Sequence, residues 1–107
     1  MSLRIIGNGN IKSDGALIIA AFIINELKYT FTGTLIPHTK PFTVYVATLT
    51  YDATTDLTGT RSFQGQVGIT TATLNFDNGP VASGALPDNG YIEPASAVIG
   101  SGQWVKA

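Results

Sequence analysis

The chain has 107 residues, with six Lys or Arg, seven Asp or Glu, one His, no Cys and a formal net charge of −1 at pH 7. That length fits one domain, and a chain without Cys has neither a disulfide framework nor Cys-ligated zinc or iron–sulfur sites. The cations are dispersed along the chain, so no cluster can neutralise neighbouring phosphates, and we expect no nucleic-acid partner.

Charge is scarce on this chain. Charged residues make up 12% of it, against roughly 25% in typical soluble domains. Thr and Gly replace them, which leaves a surface with little electrostatic protection against association. We therefore expect a partner to cover part of this surface.

The first clear element is the apolar run at residues 16–24 (ALIIAAFII), which carries no polar side chain. A helix capped by Ser13 or Asp14 is one interpretation, but four Ile and a Phe in this run favour a strand. As a strand it has two apolar rows. One row holds Ala16, Ile18, Ala20, Phe22 and Ile24, and the other holds Leu17, Ile19, Ala21 and Ile23.

The run is too short for a membrane span, which needs about 20 residues, so we expect none. Its length suits the apolar part of a signal peptide, and Arg4 and Lys12 precede it. No small-x-small cleavage pattern follows it, however. We therefore predict a buried element of the mature fold, and a cytoplasmic or virion-associated protein rather than a secreted one.

Further strands follow in chain order. Residues 27–35 alternate apolar and polar side chains, whereas residues 42–52 are apolar on both sides, with Phe42, Val44 and Val46 opposite Tyr45, Ala47, Leu49 and Tyr51. A hairpin through residues 52–56 leads to a third alternating strand at 57–63, and Gln64-Gly65-Gln66 is predicted to turn the chain. The remaining predicted strands are 67–76, 81–86 and 97–105, with Gly100 and Gly102 marking a bulge or a close backbone approach.

Short strands with turn signals every 8 to 12 residues are typical of an all-β sandwich or barrel. We predict a single antiparallel β-sandwich domain of about eight strands over residues 1–107. Each sheet of a sandwich has only one inner face, so one row of the 16–24 strand needs another cover. The candidate oligomer interface is the row Leu17, Ile19, Ala21 and Ile23.

Candidate chemistry is sparse, and we identify no catalytic, cofactor-binding or metal-binding residue. His38 lies in a polar stretch between strands, where a solvated loop histidine is the favoured interpretation. Asp52 and Asp56 lack the spacing of a calcium loop, so capping of a turn is favoured. An alternative site is an aromatic platform for a carbohydrate or apolar ligand, formed by Tyr45, Tyr51, Tyr91 and Trp104, with Tyr29 as a further member. The same rings also suit a β core.

Several segments together resemble a protein family. They are Gly-Asn-Gly at 7–9, the apolar strand, YTFTGTL at 29–35, TVYVATLTYD at 43–52, ATLNFDNG at 72–79 and GSGQW at 100–104. This pattern resembles small bacterial proteins of the Agrobacterium hypothetical-protein type. The resemblance implies a pseudo β-prism sandwich like a domain of trimeric lactophage receptor-binding proteins. It implies a trimer and supplies no catalytic residues.

Taken together, these observations predict a non-enzymatic structural or adhesive module that forms a homo-oligomer, as a trimer, without a cofactor. The alternative is a small β-domain that binds a carbohydrate or apolar ligand through its aromatic side chains. An enzyme is the least favoured class, because paired titratable groups are missing from the predicted strands.

Overall fold

The structure is a computed structural model that describes residues 5–106, and the strands fill most of that range. They are β1 (Ile5–Ser13), β2 (Leu17–Ile24), β3 (Leu27–Ile36), β4 (Phe42–Tyr51), β5 (Gly59–Ile69), β6 (Thr71–Phe76), β7 (Val81–Ala85) and β8 (Ile92–Lys106). A 3₁₀ turn at Thr54–Asp56 lies between β4 and β5. The prediction of an all-β domain is confirmed, and so is the strand interpretation of the apolar run, which forms β2.

The strands close into one antiparallel barrel rather than two stacked sheets. Their order is β1-β2-β3-β8-β5-β6-β7-β4, and β4 pairs with β1 to complete the ring. The long strand β8 makes closure possible, because residues 99–106 pair with β3 while residues 92–104 pair with β5. The sandwich prediction is therefore corrected. A barrel strand also has only one inner face, so one row of β2 still needs another cover.

Two predicted turns are wrong. Gln64-Gly65-Gln66 lies inside β5, where Gly65 pairs with both Leu74 and Val98. A Cβ on Gly65 would collide with the Thr73 carbonyl oxygen, so this glycine serves close strand approach and not a turn. Residues 52–56 do not close a hairpin either, because β4 pairs with β1 and β7 while β5 pairs with β6 and β8. That segment crosses one end of the barrel.

Side chains from every strand fill the barrel interior, as expected for eight strands. Phe31 occupies the centre of an aromatic cluster, with ring centroids 4.8 Å from Phe76, 5.3 Å from Trp104 and 5.7 Å from Phe63. A Cβ on Gly100 would collide with the Thr34 carbonyl oxygen and would lie 2.6 Å from Cζ of Phe63. The predicted close backbone approach at Gly100 is thus present, and it also leaves room for an aromatic side chain.

The β2–β3 hairpin sets which side of β2 faces outward. Its two turn residues, Asn25 and Glu26, have φ angles of 51° and 68°, the left-handed pair that suits a two-residue hairpin. The register then places Phe22 opposite Tyr29 and Ala20 opposite Phe31, inside the barrel. A slip of one residue would turn this row outward and leave both of these aromatic side chains without their neighbours.

Candidate functional site

The outer row of β2 consists of Leu17, Ile19, Ala21 and Ile23, the residues predicted as an oligomer interface. They point away from the barrel, and the three large side chains are 51%, 46% and 56% exposed in that order. The inner row is buried, with Ile18, Ala20 and Phe22 fully inaccessible. The inner row thus completes the core, and the outer row is left without cover within the described chain.

Polar rows, each with a single Lys, border the outer row on both sides. On β1, Asn8, Asn10 and Lys12 pair with Ile23, Ala21 and Ile19. We call these three residues the β1 flank. On β3, Lys28, Thr30, Thr32 and Thr34 pair with Ile23, Ala21, Ile19 and Leu17. We call these four residues the β3 flank. The apolar stripe is therefore one strand wide, with polar borders that can make hydrogen bonds.

A bulge in β4 extends the apolar surface. Gly9 pairs with Ala47 but Ile11 pairs with Val44, so β4 has one residue more than β1 in this interval. The alternation predicted for residues 42–52 is therefore wrong. Tyr45 and Val46 both face outward, at 70% and 76% exposure, while the core takes Phe42, Val44, Ala47, Leu49 and Tyr51.

Tyr45 lines an open groove that joins this bulge to the outer row. The groove has a volume of about 590 Å³. Its apolar lining includes Leu17, Ile19, Tyr45, Pro41 and Pro87, with Lys12 and Asn89 among its polar residues. The groove thus combines two residues of the predicted interface with one residue of the predicted aromatic platform.

The predicted aromatic platform does not form one exposed surface, because two of its four rings are buried. Tyr51 and Trp104, at 2% and 4% exposure, lie in the core together with Tyr29. Burial raises the pKa of Tyr51, with a smaller contribution from Tyr29. Only Tyr45 and Tyr91 remain exposed, and Tyr91 is not among the groove residues. The sequence does not separate these rings, because core and surface aromatics occupy similar strand positions.

A second groove lies on the opposite part of the barrel wall, over β5, β6 and β8. It has a volume of about 740 Å³, and its lining contains no Asp, Glu, Lys or Arg. One line of side chains crosses it through successive strand pairs, from Ile36 to Ile99, Gln64 and Asn75. The sequence does not reveal this groove, because its residues come from four separate segments.

The titratable side chains of residues 5–106 are dispersed over the barrel. Within residues 5–106, no group of three or more His, Cys, Asp or Glu side chains is placed to hold a metal ion. His38 is exposed in the segment after β3. Over the same residues, no helix has the length and apolar character needed to cross a bilayer.

Asp14 has a defined structural role next to the outer row. Its Oδ1 accepts hydrogen bonds from the backbone N–H groups of Leu17 and Ala16, at 2.8 and 2.9 Å. These two bonds favour the ionised carboxylate and hold the pKa of Asp14 below its ordinary value of 3.8. Asp14 thereby orients the start of β2, where Leu17 begins the outer row.

The lowered pKa of Asp14 predicts a pH-dependent stability. A group with a depressed folded-state pKa stabilises the fold above its unfolded pKa, and that contribution disappears as the pH falls through the folded value. We expect Asp14→Asn to be less stable than the wild type near neutral pH, with a difference that shrinks in acid. Urea unfolding of both proteins from about pH 6 to about pH 3 measures this. A difference that is constant with pH would contradict the assigned role.

Comparison of the chain with known protein families, curated proteins and solved structures finds no match in any of the three.

Proposed function

We propose that the protein is a structural or adhesive module that functions by self-assembly, as a homo-oligomer of three copies that share their outer rows. The observation that carries this proposal is the exposure of Leu17, Ile19 and Ile23 on a strand whose inner row already completes the core. Contiguous exposed apolar stripes of this kind mark interaction surfaces. About half of each large side chain remains to be buried, so each contributes on the order of 1 kcal/mol on association.

A second copy is the favoured partner because the stripe is bordered by two isolated Lys side chains and by no cluster of charge that would attract a strongly charged partner. The net charge of −1 produces little repulsion between copies. The stripe is one strand wide, and a narrow stripe is covered from both sides when copies surround a three-fold axis. The resemblance to trimeric phage receptor-binding domains also favours three copies, and it favours a phage-related or adhesive role.

The mass of the protein in solution tests this proposal. We expect light scattering coupled to size exclusion to give three times the chain mass of 11.2 kDa, decreasing only on dilution. A mass of one chain at all concentrations up to tens of micromolar would rule out self-assembly as the function. Such an interface has to bury roughly 800 Å² on each partner, so the two flanks must take part as well.

A second candidate function is the binding of a neutral carbohydrate or apolar ligand in the Tyr45 groove. The observation that favours it is the 70% exposure of Tyr45 on a groove that also contains Pro41 and Pro87. A flat ring beside proline side chains offers a face for an apolar ligand surface, while Asn89 and Lys12 supply hydrogen bonds. This candidate needs one exposed ring and does not depend on the buried Tyr51 and Trp104.

Replacing Tyr45 tests the groove directly. If the groove binds ligands, NMR titration with a panel of neutral mono- and disaccharides is expected to shift groove resonances in the wild type. Tyr45→Ala is expected to lose these shifts, because the stacking surface is gone. Tyr91→Ala is the matched control, since Tyr91 is 53% exposed but lies outside the groove lining. Equal binding by Tyr45→Ala and the wild type would eliminate the groove as the site.

A further inference from the structure

We infer that the copies associate through unlike sides, with the β1 flank of one copy against the β3 flank of the next around a three-fold axis. This inference rests on the proposed self-assembly and adds which surfaces meet. It is carried by the chemistry of the two flanks. Both are polar rows beside the same apolar stripe, exposed except for the half-buried Thr30, and they differ in hydrogen-bonding groups.

Within residues 5–106, the Asn and Thr side chains of the flanks have hydrogen-bonding capacity to spare. The side chains of Asn8, Asn10, Thr30, Thr32 and Thr34 form no hydrogen bond with any other residue in 5–106. Carboxamides donate and accept, and hydroxyls do the same, so a row of Asn against a row of Thr can satisfy both. Polar groups that are buried without partners cost free energy. Contact between the Asn row and the Thr row is therefore favoured over contact of either row with an apolar surface.

The shapes of the flanks are complementary too. The β3 flank opens beside Leu17 into a shallow recess of about 370 Å³, lined by Thr32, Thr34, Ser101, Gln103 and two glycines. At the same height the β1 flank carries the long side chain of Lys12, since Lys12 and Thr32 both pair with Ile19. Lys12 of one copy therefore has space beside the short Thr side chains of the next.

Charge is consistent with the same arrangement. In a ring, residues at the same height along β2 meet, so Asn8 of one copy lies near Lys28 of the next and Lys12 lies near Thr32. Each cation thus faces a neutral polar group. Contact between like flanks with the strands parallel would bring Lys12 against Lys12 or Lys28 against Lys28, which is unfavourable in a partly desolvated surface.

The curvature of the barrel fits a small ring. In a barrel of eight strands, the outward direction of the surface turns by about 45° from one strand to the next. In a ring of three copies, each copy meets its two neighbours in directions about 30° to either side of the line from that copy to the three-fold axis. If the outer row faces the axis, these two directions lie between β2 and each neighbouring strand, so the row and both flanks take part in the contacts.

Disulfide cross-linking tests this inference, and the chain offers a clean background because it has no Cys. Asn10 and Thr30 both pair with Ala21 and so lie at one height on opposite flanks. Strands are spaced about 4.8 Å apart, which separates these two residues by about 9.6 Å within a copy, beyond the ~7 Å that a disulfide spans. A bond between them has to join two copies.

The double variant Asn10→Cys/Thr30→Cys is expected to give covalent dimers and then trimers on mild oxidation, resolved by non-reducing electrophoresis and mass spectrometry. Each single variant is expected to remain uncross-linked. Dimers from either single variant would show contact between like flanks and overturn the inference. A double variant that stops at dimers, or that fails to cross-link although light scattering finds an oligomer, would overturn it as well. A wild type of one-chain mass would instead overturn the proposed function.

Discussion

Ile19→Asp is expected to separate the assembly into folded monomers. Ile19 is 46% exposed on the outer row, and it contributes no side chain to the core. A carboxylate placed among apolar side chains between copies loses its hydration without a partner, at a cost of several kcal/mol. Taking about 4 kcal/mol, the dissociation constant rises roughly 1,000-fold. Light scattering at micromolar protein then gives the mass of one chain, while circular dichroism retains the β spectrum of the wild type.

Two controls make this result specific. Ile99→Asp introduces the same carboxylate on the outer face of β8, where Ile99 is 56% exposed. Because Ile99 lies outside the outer row and its flanks, this variant should keep the mass of the wild type. Ile18→Asp places the charge on the fully buried inner row and should unfold the chain. Loss of assembly by Ile99→Asp but not by Ile19→Asp would move the interface to the other side of the barrel.

Phe31→Ala is expected to cause a large loss of stability. Its ring packs against Phe63, Phe76 and Trp104 at the centre of the aromatic cluster. Removing a buried Phe side chain costs about 3 to 5 kcal/mol through lost transfer free energy and the cavity that remains. A domain of this size has about 5 to 15 kcal/mol in total. The variant is therefore expected to lose a large part of its stability, with an unfolding midpoint well below that of the wild type.

Assembly complicates this measurement, because association raises apparent stability. Urea unfolding of Phe31→Ala is best measured in the Ile19→Asp background, where the protein is expected to be monomeric. Phe31→Leu is the milder companion and should lose less. Tyr45→Ala, which removes an exposed ring, should change the midpoint by little. Similar losses for Phe31→Ala and Tyr45→Ala would show that the aromatic cluster does not dominate the core.

Several features of the fold follow from local pattern. Alternation predicts β3, and the density of Ile and Phe predicts β2, because those signals depend only on neighbouring residues. The two rows of β2 are equally apolar, so the pattern alone does not say which one faces inward. Packing decides this, since Phe22 belongs to one row and its ring lies beside Trp104, with centroids 6.5 Å apart.

Other features depend on contacts between distant segments. The bulge that exposes both Tyr45 and Val46 arises where β1 has one residue fewer than β4, which the sequence of β4 does not reveal. Gly84 on β7 accommodates it, because a Cβ there would lie 2.7 Å from the Val46 carbonyl oxygen. Barrel closure also depends on contacts between distant segments. It requires β4 to pair with β1 and β8 to pair on both sides, which no short window of sequence specifies.

Closure of the barrel also limits the ways in which copies can join. Over residues 5–106, every strand has a hydrogen-bonded neighbour on each side for at least part of its length, so no strand is an open edge throughout. Growth by β-pairing, the route to fibrils, is thereby disfavoured in a protein whose net charge of −1 gives it little colloidal protection. Association is left to side chains on the barrel wall, where single substitutions can strengthen, weaken or redirect it.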